Sequence, residues 1–162
     1  MTAIWQCVRV QTETFDMGAE EKSLRAHAGD CGALVAFMGL VREFDAQDNP
    51  VQALHLEHFA GVTEHAIEQI IEQAQARWDL TAATVIHRVG QLHAHEPIVL
   101  VMVASAHREA AFLAAQFIMD VLKTTAPFWK KEQFADGSAQ WVNAKDSDAN
   151  ASSRWDDHAD RN

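Results

Sequence analysis

Three lysines crowd the stretch LKTTAPFWKKE at residues 122–132, with Lys123 ahead of Pro127, Lys130 and Lys131 behind it, and Phe128 and Trp129 between. A lysine ammonium that is partly desolvated or held beside other cations loses its proton more readily. It can then serve as general acid, general base or amine nucleophile, including Schiff-base formation on a carbonyl substrate. The two aromatic rings would supply the apolar wall of such a site. Pro127 ends any helix arriving from the N-terminal side, so the junction can fold the lysines toward one place. The same residues would equally suit a solvated basic patch at a helix C-terminus, where the dipole favours cations. They would also suit a non-catalytic module that grips a partner's tail, since aromatic and basic side chains often dominate interfaces.

Other side chains could complete a site. His107 and Arg108 stand at the predicted start of the helix that ends in the lysines. Free backbone N–H groups and the dipole favour an anion there, so the pair either cradles a phosphate or carboxylate or points into water. Arg42 closes an apolar run shortly after Gly39; glycine allows close backbone approach and arginine offers a two-pronged fork for an oxyanion, although a surface ion pair uses it as well. His93, His95 and Glu96 share a turn beside Pro97 without an evident third ligand, so no metal is expected. Ser105 lacks the GxSxG turn of a nucleophile elbow, which sets serine hydrolysis aside.

The elements that must position these residues follow from hydrophobic periodicity. A strand is expected at residues 3–10, a short helix at 18–28, a buried strand at 32–42, and an alternating strand at 51–59 with Leu54 and Leu56 on one face and His55 and Glu57 on the other. Ala66, Ile67, Ile70, Ile71, Ala74 and Trp78 recur at helical spacing, with Thr63 as N-cap. Strands at 83–92 and 98–106 precede a second long helix, capped by Ser105, running through Phe112, Ala115, Phe117, Ile118, Val121 and Leu122 until Pro127 halts it. Residues 127–134 and 139–144 flank ADGS as a closing hairpin. Helices mixed with mostly antiparallel strands give an α+β class. One domain is expected over residues 1–144. The polar tail at 145–162 should be loosely held unless a partner pins Trp155.

Composition narrows the partners. The chain has 162 residues with 48% hydrophobic side chains, enough for one substantial core. Its 13 Lys and Arg against 23 Asp and Glu remove the diffuse positive field that nucleic-acid and anionic-membrane binding rely on. Any bound anion must meet a local cationic cluster. Neither a signal peptide nor a membrane span is visible, so a soluble cytoplasmic protein is expected. Cys7 and Cys31 are isolated and read as free thiols rather than a redox pair.

Taken together, LEHFAGVTE, VIHRVGQL, SAHREAAF, QFIMDVLKTTAPFWKKE and GALVAFMGLVR resemble, in this order and spacing, the large catalytic subunit of molybdopterin synthase. The resemblance spans nearly the whole chain as far as Trp155. It implies an α/β hammerhead-type fold with an additional antiparallel β subdomain. It further implies a homodimer that binds two small ubiquitin-like sulfur-carrier subunits in a heterotetramer. Each carrier would insert a C-terminal Gly-Gly thiocarboxylate, and two sulfurs would pass to cyclic pyranopterin monophosphate to give the dithiolene of molybdopterin, without a further cofactor. By the same resemblance Lys123 and Lys130 would be catalytic, Arg42, His107 and Arg108 would hold the phosphate, Leu40 and Val41 would line the approach through backbone, and Lys131 and Glu132 would complete the pocket rim.

Overall fold

The computed structural model describes residues 2–43, 51–142 and 146–156. The elements follow the order β1 (Trp5–Gln11), α1 (Met17–His27), β2 (Ala33–Leu40), β3 (Val51–His58), α2 (Val62–Arg77), β4 (Leu80–Arg88), β5 (Gly90–Leu92), β6 (Pro97–Ser105), α3 (Arg108–Thr125), β7 (Phe128–Phe134), β8 (Ala139–Val142) and α4 (Asp146–Ser153). They form two four-stranded sheets, ordered β1-β4-β6-β2 and β5-β3-β7-β8. Among the described residues the β1–β4 pair is parallel and the other strand pairs are antiparallel. The α+β architecture with a second antiparallel sheet is the one expected.

Alternation along the strands divides the core. Ala83, Val85, Val99, Val101 and Val103 pack against α2 and α3 through Ile67, Ile70, Ile71, Phe117 and Ile118. The opposite face of the same sheet carries Ala82, Ile86, Leu100 and Met102, which meet Leu24 of α1. The β4 and β6 strands are therefore buried on both sides, and their near-continuous apolar runs follow from that position. A third cluster of Val41, Leu54, Leu56, Val89 and Leu92 joins the two sheets.

Several local expectations are corrected. The run at 83–92 is two strands in different sheets: Gly90 adopts φ of 82°, which turns the chain out of β4 and into β5. The β2 strand is not buried but lies at a sheet edge, with Phe37 43% and Leu40 54% exposed. Gly39 in β2 serves strand packing, because a Cβ there would stand 2.6 Å from Val99 Cγ1 on β6. Neither proposed cap acts as one. Gly61 is the N-cap residue of α2, while Thr63 is fully buried and its hydroxyl donates to the Pro127 carbonyl at 3.1 Å. His107 is the N-cap residue of α3, and Ser105 instead donates to the Asp79 carbonyl at 2.6 Å.

Residues 146–156 of the C-terminal segment lie within the described residues. Trp155 is buried edge-on against Trp78 and Phe117, at ring separations of 5.6 and 5.5 Å. Its indole N–H donates to Asp120 Oδ2 at 2.8 Å, and its carbonyl accepts from Arg77 at 3.0 Å. The chain thus pins this tryptophan itself. The expected boundary at residues 144 and 145, most of the loop at 43–50, and residues 157–162 lie outside the described residues.

Candidate active site

Lys123 sits in the last turn of α3, which ends at Thr125 because the residue before a proline is driven out of the helical region; Ala126 has ψ of 133°. Its exposed side chain lines a cavity of about 540 Å³ between α3 and the edge strand β2. Phe112, Gln116 and Met119 extend from Lys123 along the helix, Val35 and Phe37 face them from β2, and Ala151 of α4 completes the lining. The walls are mainly apolar, with Lys123 and Asp120 as the charged members. A mainly apolar groove with a few charged members has the make-up of a ligand site.

Beyond Pro127 the chain re-emerges as β7, pairing with β3 so that Phe128 faces His58, Lys130 faces Leu56 and Glu132 faces Leu54. Directly opposed residues share a sheet face, and Leu54, Leu56 and Phe128 belong to the cluster between the sheets. Lys130 and Glu132 therefore emerge, half-buried, on the inner face. Lys131 lies on the other face, its ammonium 4.8 Å from the ring centroid of Trp141, the residue opposite it on β8. The cation–π contact holds Lys131 to the outer surface, away from Lys130.

The β2 strand runs antiparallel to β6 with Leu40 opposite Pro97, so its end lies at the same end of the sheet as the C-terminus of α3. Arg42 follows there, exposed. Val41 is buried; its N–H donates to the Glu96 carbonyl at 2.9 Å and its carbonyl accepts from His95 at 2.6 Å. The Val41 backbone is thus committed to the 93–96 turn, while Leu40 presents an exposed side chain. Glu43 turns toward His95, with Oε1 3.1 Å from Nε2, and His93 contacts the Gln52 carbonyl at 3.4 Å through Nδ1.

His107 and Arg108 are exposed at the opposite end of α3. At 1.5 Å per residue, the backbone of Arg108 stands roughly 22 Å from that of Lys123. One chain therefore carries Arg42 and Lys123 at one end of the first sheet and His107 and Arg108 at the other.

One residue that the sequence reading passed over belongs to the first end. His87, near the end of β4, stacks on Phe128 with ring centroids 4.0 Å apart and an interplanar angle of 26°. Burial pushes its imidazole down to about 4, opposed by a hydrogen bond to the Arg88 carbonyl and assisted by the charges of Lys123 and His58. Next to it, the buried Arg88 guanidinium donates to the Thr12 carbonyl at 3.0 Å and the Pro97 carbonyl at 3.0 Å, fixing the end of the strand. The pocket residues Phe112, Gln116, Met119 and Lys123 recur at helical spacing, a usable signal. Phe112 was nonetheless expected in the buried stripe, and it is 62% exposed.

Comparison with known proteins bears on the family and the fold. The family described as MoaE protein matches residues 10–125. The chain is similar to the molybdopterin synthase catalytic subunit of Ralstonia nicotianae, 51% identical over 91% of this chain and 83% of that protein. It is also similar to the subunit of the same name from Cereibacter sphaeroides, 49% identical over 91% and 99%. Among solved structures, the molybdopterin biosynthesis MoaE protein from Burkholderia ambifaria superposes with a TM-score of 0.80 at 43% identity, covering 93% of this chain and 98% of the other. The family match, the level of identity and the shared fold together place the chain in the MoaE family of molybdopterin synthase catalytic subunits.

Proposed function

We propose that this member of the molybdopterin synthase family transfers sulfur at the end of the molecule where Arg42, Lys123 and Lys130 gather beside the apolar groove. The observation that carries this reading is Lys123 itself, the cation at the lysine end of a groove whose other walls are Phe112, Met119, Val35 and Phe37. A carrier tail ending in Gly-Gly has no side chains to exclude, and its terminal thiocarboxylate is an anion that an ammonium would orient. The pterin substrate is a phosphate ester, and in a chain with a formal net charge of −10 only a compact cationic site can hold it. In this mechanism Lys123 orients the thiocarboxylate, and Lys130 moves protons as the cyclic phosphate opens and sulfur displaces oxygen.

The phosphate-holding role of His107 and Arg108 requires a second chain, because their own Lys123 is a helix length away. In a homodimer the partner's α3 N-terminus would meet this chain's lysines, and two carriers would complete a heterotetramer. Leu40 and Glu132 suit the rim; Lys131, on the outer face, suits contact with the carrier. No helix among the described residues is long and apolar enough to cross a membrane, which is compatible with work in the cytoplasm.

A single-turnover assay with cyclic pyranopterin monophosphate and thiocarboxylated carrier tests this reading. Wild type should form the dithiolene product. Lys123→Ala and Lys130→Ala should each lose at least about a hundredfold in rate while still binding carrier. Loss of carrier binding in step with activity would instead favour a tail-gripping module without chemistry.

A further inference from the structure

Arg42 is bracketed by a single turn, residues 93–96. On its N-terminal side, the Val41 N–H donates to the Glu96 carbonyl at 2.9 Å and the Val41 carbonyl accepts from the His95 N–H at 2.6 Å. On its C-terminal side, Glu43 Oε1 lies 3.1 Å from His95 Nε2. The residues before and after Arg42 are thus both tied to the same turn, and the long arginine side chain departs from a fixed backbone. His93 extends the tie to β3, with its Nδ1 3.4 Å from the Gln52 carbonyl.

Local propensity does not hold this turn in shape. His95 has φ of 72°, a conformation that costs energy for a residue with a Cβ and persists only where the surroundings enforce it. Glu96 supplies that enforcement. Its Oε2 accepts the His93 N–H, its own N–H donates to the His93 carbonyl at 3.2 Å, and its Oε1 lies 3.5 Å from Arg88 Nη1. Arg88 is buried and is anchored in turn by the Thr12 and Pro97 carbonyls, each at 3.0 Å. The Glu96 carboxylate therefore connects a strained turn to a fixed, buried cation at the end of β4.

We propose that Glu96 is a positioning residue for the phosphate-holding Arg42, its carboxylate bridging the His93 N–H to the Arg88 guanidinium and so fixing the turn that grips residues 41 and 43. A guanidinium recognises a phosphate through two parallel N–H donors, and that recognition is lost when the backbone carrying it wanders. The same turn engages Glu43 through His95, which keeps that carboxylate from pairing with Arg42 in competition with the substrate phosphate. The inference rests on Arg42 being a residue that meets the phosphate ester.

The test compares wild type, Arg42→Ala, Glu96→Ala, Glu96→Gln and the double variant Arg42→Ala/Glu96→Ala in the complete synthase. Single-turnover rates are measured at saturating carrier over a range of cyclic pyranopterin monophosphate concentrations, with melting temperature in parallel. Arg42→Ala should raise the half-saturating pterin concentration about tenfold or more. Glu96→Ala should raise it roughly fivefold with the saturating rate within about twofold of wild type, and Glu96→Gln, whose amide oxygen can still accept the His93 N–H, should stay within about twofold in both. Because Glu96 acts through Arg42, the double variant should be no worse than Arg42→Ala alone, within about twofold. If Glu96→Ala does not fold, Glu96→Asp takes its place with the same expectation, since it keeps a charge for Arg88 but is one methylene shorter. A wild-type half-saturating concentration in Glu96→Ala beside a raised one in Arg42→Ala overturns the role of Glu96 and leaves that of Arg42 standing. Multiplying effects in the double variant also overturn it, by showing that Glu96 acts independently of Arg42. An unchanged half-saturating concentration in Arg42→Ala overturns the phosphate role of Arg42, and this inference with it.

Discussion

At the scale of single residues, burial decides which titratable groups stay uncharged. The imidazole of His87, lowered from its ordinary value to about 4 chiefly by burial, stays neutral in the folded protein through the range in which the unfolded chain takes up a proton. With the folded value below the unfolded one, this group leaves stability intact above about pH 6.5 and erodes it as the pH falls from there toward 4. The expected loss from this residue between pH 7.5 and pH 5 is about 2 kcal/mol. Urea unfolding of wild type and His87→Phe at both pH values should show a smaller pH dependence in the variant; equal slopes would mean that the ring is solvated. Neighbouring Arg88 shows the reverse arrangement, a buried charge kept by hydrogen bonds to the Thr12 and Pro97 carbonyls and by Glu96, whose Oε1 lies 3.5 Å from Nη1.

At the scale of elements, one device joins the two sheets and another shapes the groove. Gly90, with φ of 82°, lets the chain leave β4 for the second sheet. Gly90→Ala should cost about 1 kcal/mol or more, read as a lower urea midpoint, since a Cβ disfavours that conformation. The second device is the anchoring of α4 by Trp155 on Trp78, Phe117 and Asp120. Because Ala151 of α4 lines the groove, Trp155→Ala should cost about 3–5 kcal/mol in stability and weaken carrier binding as well. A variant destabilised by that amount but with wild-type carrier affinity would show that α4 is not part of the receptor surface. The exposed edge of β2, with Phe37 and Leu40 bare, is the other wall, and edges of this kind accept partners.

At the scale of the whole molecule, the separation of Arg108 from Lys123 predicts complementation between defective chains. Lys123→Ala and Arg108→Ala proteins should each be nearly inactive alone. After mixing under conditions that exchange subunits, random pairing should restore about a quarter of the wild-type sites, because one site in each mixed dimer draws an intact lysine from one chain and an intact arginine from the other. Mixed samples as inactive as their parents would place both residues' roles within one chain.

Much of this protein was legible before any coordinates. The lysines about Pro127, the anion-binding types at 107 and 108, the amphipathic helices and the α+β class all follow from residue chemistry and periodicity, which are local properties. The hairpin at 127–142 and the inward face of Leu54 and Leu56 were legible for the same reason. Tertiary structure alone decided that β2 lies at an edge and that the polar C-terminal segment is anchored. It also decided that His87 stacks on Phe128, whereas the opposite faces of Lys130 and Lys131 and the helix length between Arg108 and Lys123 follow from strand alternation and helical rise once those elements are predicted. The physical reason is common to the three that needed the fold: periodicity along the chain tells which residues share a face, but what that face meets depends on pairing between segments far apart in sequence.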